Sequence, residues 1–152
     1  MGNTAILLID EAEKMKAFIP FSTMMKVWDA KDNGKFYINV SEKSLASWRK
    51  KYEVYNHKFN ILLPRCVEYN NLGISYEKQG NIKAAIDVYE KNILPDSYPE
   101  HHAYDRLLII YRRQKDYANE ERVCKLAIST FPKEKKYAER LKKVELLINK
   151  QL

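Results

Sequence analysis

Apolar residues in the second half of the chain recur three and four residues apart, in segments separated by short polar turns. This spacing places them on one face of an α-helix and so predicts a succession of amphipathic helices. Gly80 is expected to end one helix in a left-handed conformation, and Ser97 with Glu100 resembles a capping box for a later helix, with Pro99 early in it. The predicted helices are residues 65–79, 82–93, about 99–114 and 118–130, followed by a last helix that begins at Pro132.

The first half gives a weaker pattern. It predicts a helix over residues 4–18, a short helix over 21–30, a turn at Asp32-Asn33-Gly34 and an extended segment over 35–40. Ser41 is the expected N-cap of a long helix that reaches about residue 60, and Pro64 suits the first turn of the next helix. We therefore divide the chain into an N-terminal segment, 1–40, and a helical domain, 41–152.

The apolar pattern also repeats. A motif that begins at Tyr69 returns, 35 residues later, at Tyr104. A fixed period in this range is typical of stacked repeats that bury their apolar faces against one another. The matched positions are Tyr69 and Tyr104, Leu72 and Leu107, Tyr76 and Tyr111, and Gln79 and Gln114.

These residues resemble the tetratricopeptide repeat (TPR), a helix–turn–helix unit of about 34 residues. The resemblance covers residues 64–132. The first unit matches at Tyr69, Leu72, Gly73, Tyr76, Ala85 and Tyr89, and the second at Tyr104, Leu107, Tyr111, Ala127 and Pro132.

Three positions depart from the family pattern. Leu108 and Asn92 stand where small residues are usual, and Glu120 stands where the family has a buried alanine. An unpaired buried carboxylate is costly. Either the returning helix slides so that Ala118 takes that position, or Glu120 finds a partner.

The resemblance implies an all-α fold in which antiparallel helix pairs stack as a short right-handed solenoid. Because two repeats are too few to be stable alone, we expect the helix after Ser41 and the C-terminal helix to cover the two ends of the stack. The C-terminal helix would then be a capping helix.

The resemblance further implies a protein-interaction scaffold that binds a peptide or protein segment in a groove lined by the first helix of each unit. Some members of the family bind a C-terminal carboxylate with Lys, Asn and Arg side chains on these helices. Arg112 and Arg113 are two cations suited to an acidic segment. The candidate binding residues are Asn70, Asn71, Ile74, Glu77, Lys78, His102, Asp105, Arg106, Ile109, Arg112 and Arg113.

The charge distribution bears on the alternative partner, nucleic acid. The net charge of +7 comes from the two ends, at +3 for residues 1–63 and +4 for 132–152, while residues 64–131 are neutral. Nucleic-acid binding usually needs a continuous basic surface, so the distribution argues against it. The alternative, a nucleic-acid accessory factor, would use Arg49-Lys50-Lys51 with Trp48 and Tyr52, together with the C-terminal lysines.

The remaining chemistry is sparse. The sequence carries no phosphate-binding glycine loop and no metal-binding Cys or His spacing, so it predicts no catalytic residue, metal or cofactor. Two cysteines, Cys66 and Cys124, suit a reducing compartment, with Cys124 buried. With neither a signal peptide nor an apolar run long enough to span a membrane, we expect a cytoplasmic protein. Self-association through the N-terminal segment stays open.

Overall fold

The computed structural model describes residues 2–152 and is mostly helical, with one small two-stranded sheet. The elements are β1 (Thr4–Leu8), α1 (Ile9–Lys14), α2 (Phe21–Asp32), β2 (Tyr37–Ser41), α3 (Glu42–Asn56), a π-helical stretch (His57–Leu62), α4 (Leu63–Lys78), α5 (Ile82–Lys91), α6 (His101–Arg113), α7 (Tyr117–Thr130) and α8 (Lys135–Gln151). The described residues form two compact units, 2–60 and 61–152.

The N-terminal unit is built on an antiparallel pair in which Leu7 lies opposite Ile38. The extended segment and α2 agree with the prediction, but the helix predicted over residues 4–18 is wrong, because its first part is β1. The run Ala5–Ile9 contains no polar residue to reveal its period, and pairing with the β-branched segment Tyr37–Ser41 decides in favour of a strand.

Helix α3 also packs into the core of this unit. The Ser41 side chain accepts a hydrogen bond from the Ser44 N–H (3.4 Å), as expected of the N-cap. Leu45 and Trp48 are buried in a cluster with Leu7, Met24 and other residues of the same unit. The buried part of the apolar face of α3 thus belongs to the core of the N-terminal unit.

A π-helical stretch follows α3 and leads into α4, with Pro64 in the first turn of α4 as predicted. Proline has no N–H to offer the carbonyl of Asn60, four residues earlier. A local change to wider hydrogen bonding is one way for a helical chain to accommodate this. The break predicted near residue 60, between the helix that follows Ser41 and the helix that contains Pro64, is therefore absent.

In the C-terminal unit, each helix from α5 to α8 packs against the one before it. The turns follow the 35-residue period: Gly80 (φ 77°) and Lys115 (φ 56°) are both left-handed. The next residues, Asn81 and Asp116, cap α5 and α7 by accepting from the backbone N–H three residues later. The predicted turn at Gly80 is confirmed, and Lys115 adopts the same conformation without being glycine.

Two predicted helix starts need correction. The N-cap of α6 is Glu100, whose carboxylate accepts from the His102 N–H (2.9 Å), whereas the Ser97 hydroxyl donates to the Lys91 carbonyl (3.2 Å). Pro99 therefore precedes the helix. The last helix starts at Lys135 and not at Pro132.

Gly73 sets the approach of α4 to α5. A Cβ atom at this position would lie 2.2 Å from Cε1 of Tyr89, a fully buried ring. Thirty-five residues later the same two positions hold Leu108 and Cys124, both buried in the same cluster. The larger residue at position 108 is thus accompanied by a smaller residue, Cys124, on α7.

Candidate functional site

The predicted binding residues on α4 take part in polar contacts within the C-terminal unit. The Asn70 amide donates to the Glu100 carboxylate (3.0 Å), and its oxygen accepts from buried Asn92 (2.8 Å). The Asn92 amide also donates to the Cys66 carbonyl (2.9 Å). These contacts satisfy the polar Asn92 side chain in its buried position.

Glu77 and Arg106 form a two-pronged ion pair between α4 and α6. Nε and Nη2 of Arg106 donate to the two carboxylate oxygens at 3.0 and 2.6 Å, and the Tyr89 hydroxyl donates to Glu77 at 2.7 Å. The Arg106 bonds hold the pKa of Glu77 below its ordinary value. Both residues are therefore satisfied internally.

His102 lies beside this pair, with its ring edge-on to Tyr89 at a centroid distance of 5.6 Å. Its Nε2 is buried and has no hydrogen-bond partner within residues 2–152. Among the other predicted residues, Asn71, Lys78 and Arg113 are exposed and Ile74 is half-buried.

Glu120, fully buried, lies between two arginines. Arg112 donates Nε and Nη2 to the two carboxylate oxygens at 2.7 and 2.6 Å, and Arg140 of α8 donates Nε at 3.0 Å. Arg140 also donates Nη2 to the Leu108 carbonyl (2.9 Å). Of the two possibilities left by the sequence, Glu120 thus keeps its place and is paired. The fork of Arg112, predicted for an external carboxylate, is occupied by this internal one.

Asp105 joins α6 to α8 in the same way. Its carboxylate accepts from Lys136 Nζ (3.1 Å) and from the buried Tyr137 hydroxyl (2.9 Å). The Tyr137 hydroxyl is also 2.9 Å from His101 Nδ1. Burial, followed by the Asp105 hydrogen bond, raises the pKa of Tyr137, so this hydroxyl stays a donor.

An open groove of about 500 Å³ lies between α6 and α8. Leu108 and Ile109 supply its apolar part. Basic side chains in the lining outnumber acidic ones four to two, which favours an anionic ligand. The charged lining residues are Arg112, Lys136, Arg140, Lys143, Asp105 and Glu139.

Three of the predicted binding residues, Asp105, Ile109 and Arg112, line this groove. The wall contributed by α8 was not among the predicted binding residues, because α8 was assigned the role of a capping helix and its lysines were assigned to the nucleic-acid alternative. A signal was present: Lys136, Arg140 and Lys143 are four and three residues apart, which places them on one stripe of a helix.

The two thiols offer no nucleophile. Burial raises the pKa of Cys66, and burial together with nearby Glu120 raises that of Cys124 to about 11. A thiol with a raised pKa is a poor nucleophile near neutral pH. Within residues 2–152, no cluster of three His, Cys, Asp or Glu side chains is arranged to hold a metal ion.

In the N-terminal unit, the aromatic residues that the nucleic-acid alternative would use belong to the core or pack against it. Trp48 is buried in the core, and Arg49 is paired with Glu11 through Nε (2.6 Å) and Nη2 (3.1 Å). A buried ring cannot stack on a base. Tyr52 is half-buried and packs against the same core cluster.

None of the helices in the described part of the chain combines the length and the apolar character needed to cross a bilayer. Comparison of the chain with protein-family models, with curated protein sequences and with solved structures gave no match.

Proposed function

We propose that the C-terminal unit is a TPR-like interaction scaffold that binds an acidic peptide segment of another protein in the groove between α6 and α8. The observation that carries this proposal is the basic, partly apolar lining of that groove. A concave surface that combines an apolar floor with a few convergent charges is typical of peptide sites.

Contacts between alternate helices support a stacked arrangement. The Glu77–Arg106 pair joins α4 to α6, and the Asp105–Lys136 pair joins α6 to α8. On the other helices, Arg122 of α7 pairs with Glu90 of α5. First helices thus contact first helices and returning helices contact returning helices, as a short solenoid requires. In this arrangement α8 occupies the place of a further first helix.

The charges of the groove support an anionic ligand. Two of its cations, Arg112 and Arg140, share the single buried Glu120 carboxylate. Because two positive charges face one negative charge, the cluster keeps a net positive charge, and these bonds hold both arginines in place. Lys143 has no ion-pair partner within residues 2–152. The carboxylates of a ligand would be attracted by the two lysines of the groove, Lys136 and Lys143, while its apolar side chains would contact Ile109.

The groove favours binding over catalysis. Its Asp105 carboxylate is occupied by Tyr137 and Lys136, and Glu120 beneath it is occupied by two arginines. A general acid or base needs a proton-transfer position open to substrate. We therefore propose a non-enzymatic adaptor role.

The test uses the full chain and a fluorescein-labelled peptide of alternating Glu and Leu residues that ends in a free carboxylate. Fluorescence anisotropy should show saturable binding that weakens about tenfold for Lys143→Glu, equivalent to about 1.4 kcal/mol. Lys142→Glu, an adjacent exposed lysine outside the groove lining, is the matched control and should bind like the wild type.

Two outcomes would contradict the proposal. One is equal weakening by Lys143→Glu and Lys142→Glu, which would indicate non-specific attraction to the basic end of the chain. The other is equal binding of a peptide with Lys in place of Glu. Replacing Arg112 is not a clean test, because it leaves Glu120 with one partner fewer.

A further inference from the structure

The small sheet has an open edge along β1. At one end of the strand pair, the Ile9 N–H donates to the Phe36 carbonyl (3.0 Å). At the other end, the Glu42 N–H donates to the Asn3 carbonyl (2.9 Å). The residue pairs at both ends of the ladder are therefore hydrogen-bonded pairs. In antiparallel pairing, bonded and non-bonded pairs alternate. With Leu7 opposite Ile38, the bonded residues of β1 are Ala5 and Leu7. Thr4, Ile6 and Leu8 therefore direct their N–H groups away from β2.

No other segment of the described residues takes up these groups. The sheet has only two strands, and within the described residues no hydrogen bond reaches the N–H of Thr4, Ile6 or Leu8. The side chains of Ile6 and Leu8 are 54% and 52% exposed. The opposite edge differs, because α2 packs against β2 and lines a cavity with Tyr37 and Asn39.

The exposed edge also lacks the usual protection. Native edge strands are commonly blocked by Lys, by Pro or by a bulge. The β1 sequence Thr-Ala-Ile-Leu-Leu contains none of these residues, and its pairing with β2 runs without a bulge from Thr4 to Leu8. An uncharged, apolar, regular edge is a template for another strand.

We propose that β1 pairs with β1 of a second copy of this chain, antiparallel and centred on Ile6. A two-fold axis at Ile6 places Ile6 opposite Ile6 of the second copy and Thr4 opposite Leu8, so the open N–H groups of both strands meet carbonyls at once. No like charges oppose one another, and apolar side chains meet on the exposed face. The product is a four-stranded sheet, which is more stable than an isolated pair of strands.

This proposal concerns the N-terminal unit and is independent of the peptide groove. Sedimentation velocity of the full chain over a wide concentration range should show a monomer–dimer equilibrium. Ile6→Lys places two like charges opposite each other across the two-fold axis and should weaken the dimer by about tenfold or more. Asn39→Lys is the matched control, since Asn39 lies directly opposite Ile6 within the sheet but on β2, and should leave the dimer unchanged.

Amide hydrogen exchange of the wild-type chain tests the same contact without a substitution. The Ile6 amide should become protected as the concentration rises, whereas the Leu7 amide, bonded to β2, should be protected at every concentration. A monomer at all concentrations would overturn the proposal. So would a dimer whose Ile6 amide exchanges at a constant rate, because that dimer would use another surface.

Discussion

At the scale of single residues, the most informative position is Glu120. Its side chain is fully buried, yet it keeps three hydrogen bonds from Arg112 and Arg140. A buried charge is tolerated when it is paired and its oxygens are satisfied, although such a pair adds little net stability by itself. Glu120 thus joins α6, α7 and α8 at one point and fixes the base of the groove.

Removing one arginine should be costly. Arg112→Ala leaves the buried carboxylate with Arg140 alone, and we expect the free energy of unfolding in urea to fall by about 2 kcal/mol. Arg113→Ala, at the next position and exposed, should change it by less than about 0.5 kcal/mol.

The pair Arg112→Ala, Glu120→Met provides a second check. Since the uncompensated carboxylate is absent from the double variant, its stability should recover relative to Arg112→Ala. Equal effects of Arg112→Ala and Arg113→Ala would show that the internal ion pair is not formed in solution.

The Glu77–Arg106 pair predicts an acid-sensitive contribution to stability. The Arg106 hydrogen bonds lower the pKa of Glu77 below its ordinary value of 4.5. The folded state therefore holds the ionised form more strongly than the unfolded state does, so this contribution is present above pH 4.5 and is lost as the pH falls below it.

We expect Glu77→Gln to reduce the free energy of unfolding by about 1–2 kcal/mol at neutral pH. The difference from the wild type should shrink as the pH falls below 4.5. Urea unfolding at a series of pH values measures it. Glu68→Gln, on the same helix and exposed, controls for loss of a carboxylate alone. A difference independent of pH would contradict the assignment.

The sequence alone indicates that a buried Glu120 needs an ion-pair partner, but it does not identify which residues provide it. Arg112 lies eight residues away, within reach of a helical hairpin, whereas Arg140 comes from the following helix and depends on how α8 packs. Similarly, Arg112 was predicted to bind an external carboxylate because its internal partner depends on tertiary packing.

At the scale of helices and strands, the 35-residue repeat fixes the turns but not the packing at each crossing. In the first pair a glycine meets a large ring, Gly73 with Tyr89. The same positions hold Leu108 and Cys124 in the second pair. The volume is redistributed between the two helices, which is how cores tolerate substitution at a crossing.

Gly73→Ala tests the first crossing. The added Cβ would overlap the Tyr89 ring, and we expect a loss of about 1–3 kcal/mol despite the better helix propensity of alanine. In a Tyr89→Leu background, with the ring absent, the same change should be neutral or stabilising. An equal cost in both backgrounds, measured by urea unfolding, would exclude the ring as the cause.

Helices from α4 to α8 could be predicted because their periodicity is local and strong. β1 could not, since an apolar run of five residues is compatible with either a helix or a strand. Its strand conformation depends on Tyr37–Ser41, far along the chain. The π-helical stretch before Pro64 was missed for a similar reason: proline indicated a boundary, and the chain instead continued as a helix with altered hydrogen bonding.

At the scale of the whole molecule, each unit has its own core. One cluster contains residues from Leu7 to Trp48, and the other contains residues from Ala85 to Tyr137. Each unit also carries its own proposed surface, the β1 edge in the first and the α6–α8 groove in the second. The groove was only half predicted, because α8 was assigned a covering role and its basic stripe was left outside the site.

The most direct test of the central claim is a two-dimensional ¹H–¹⁵N titration of the full chain with the unlabelled alternating Glu-Leu peptide. The account predicts saturable shift changes concentrated on α6 and α8, around Ile109, Lys136 and Lys143. Changes confined to residues 2–60, or an absence of saturable changes, would contradict a peptide-binding groove between these two helices.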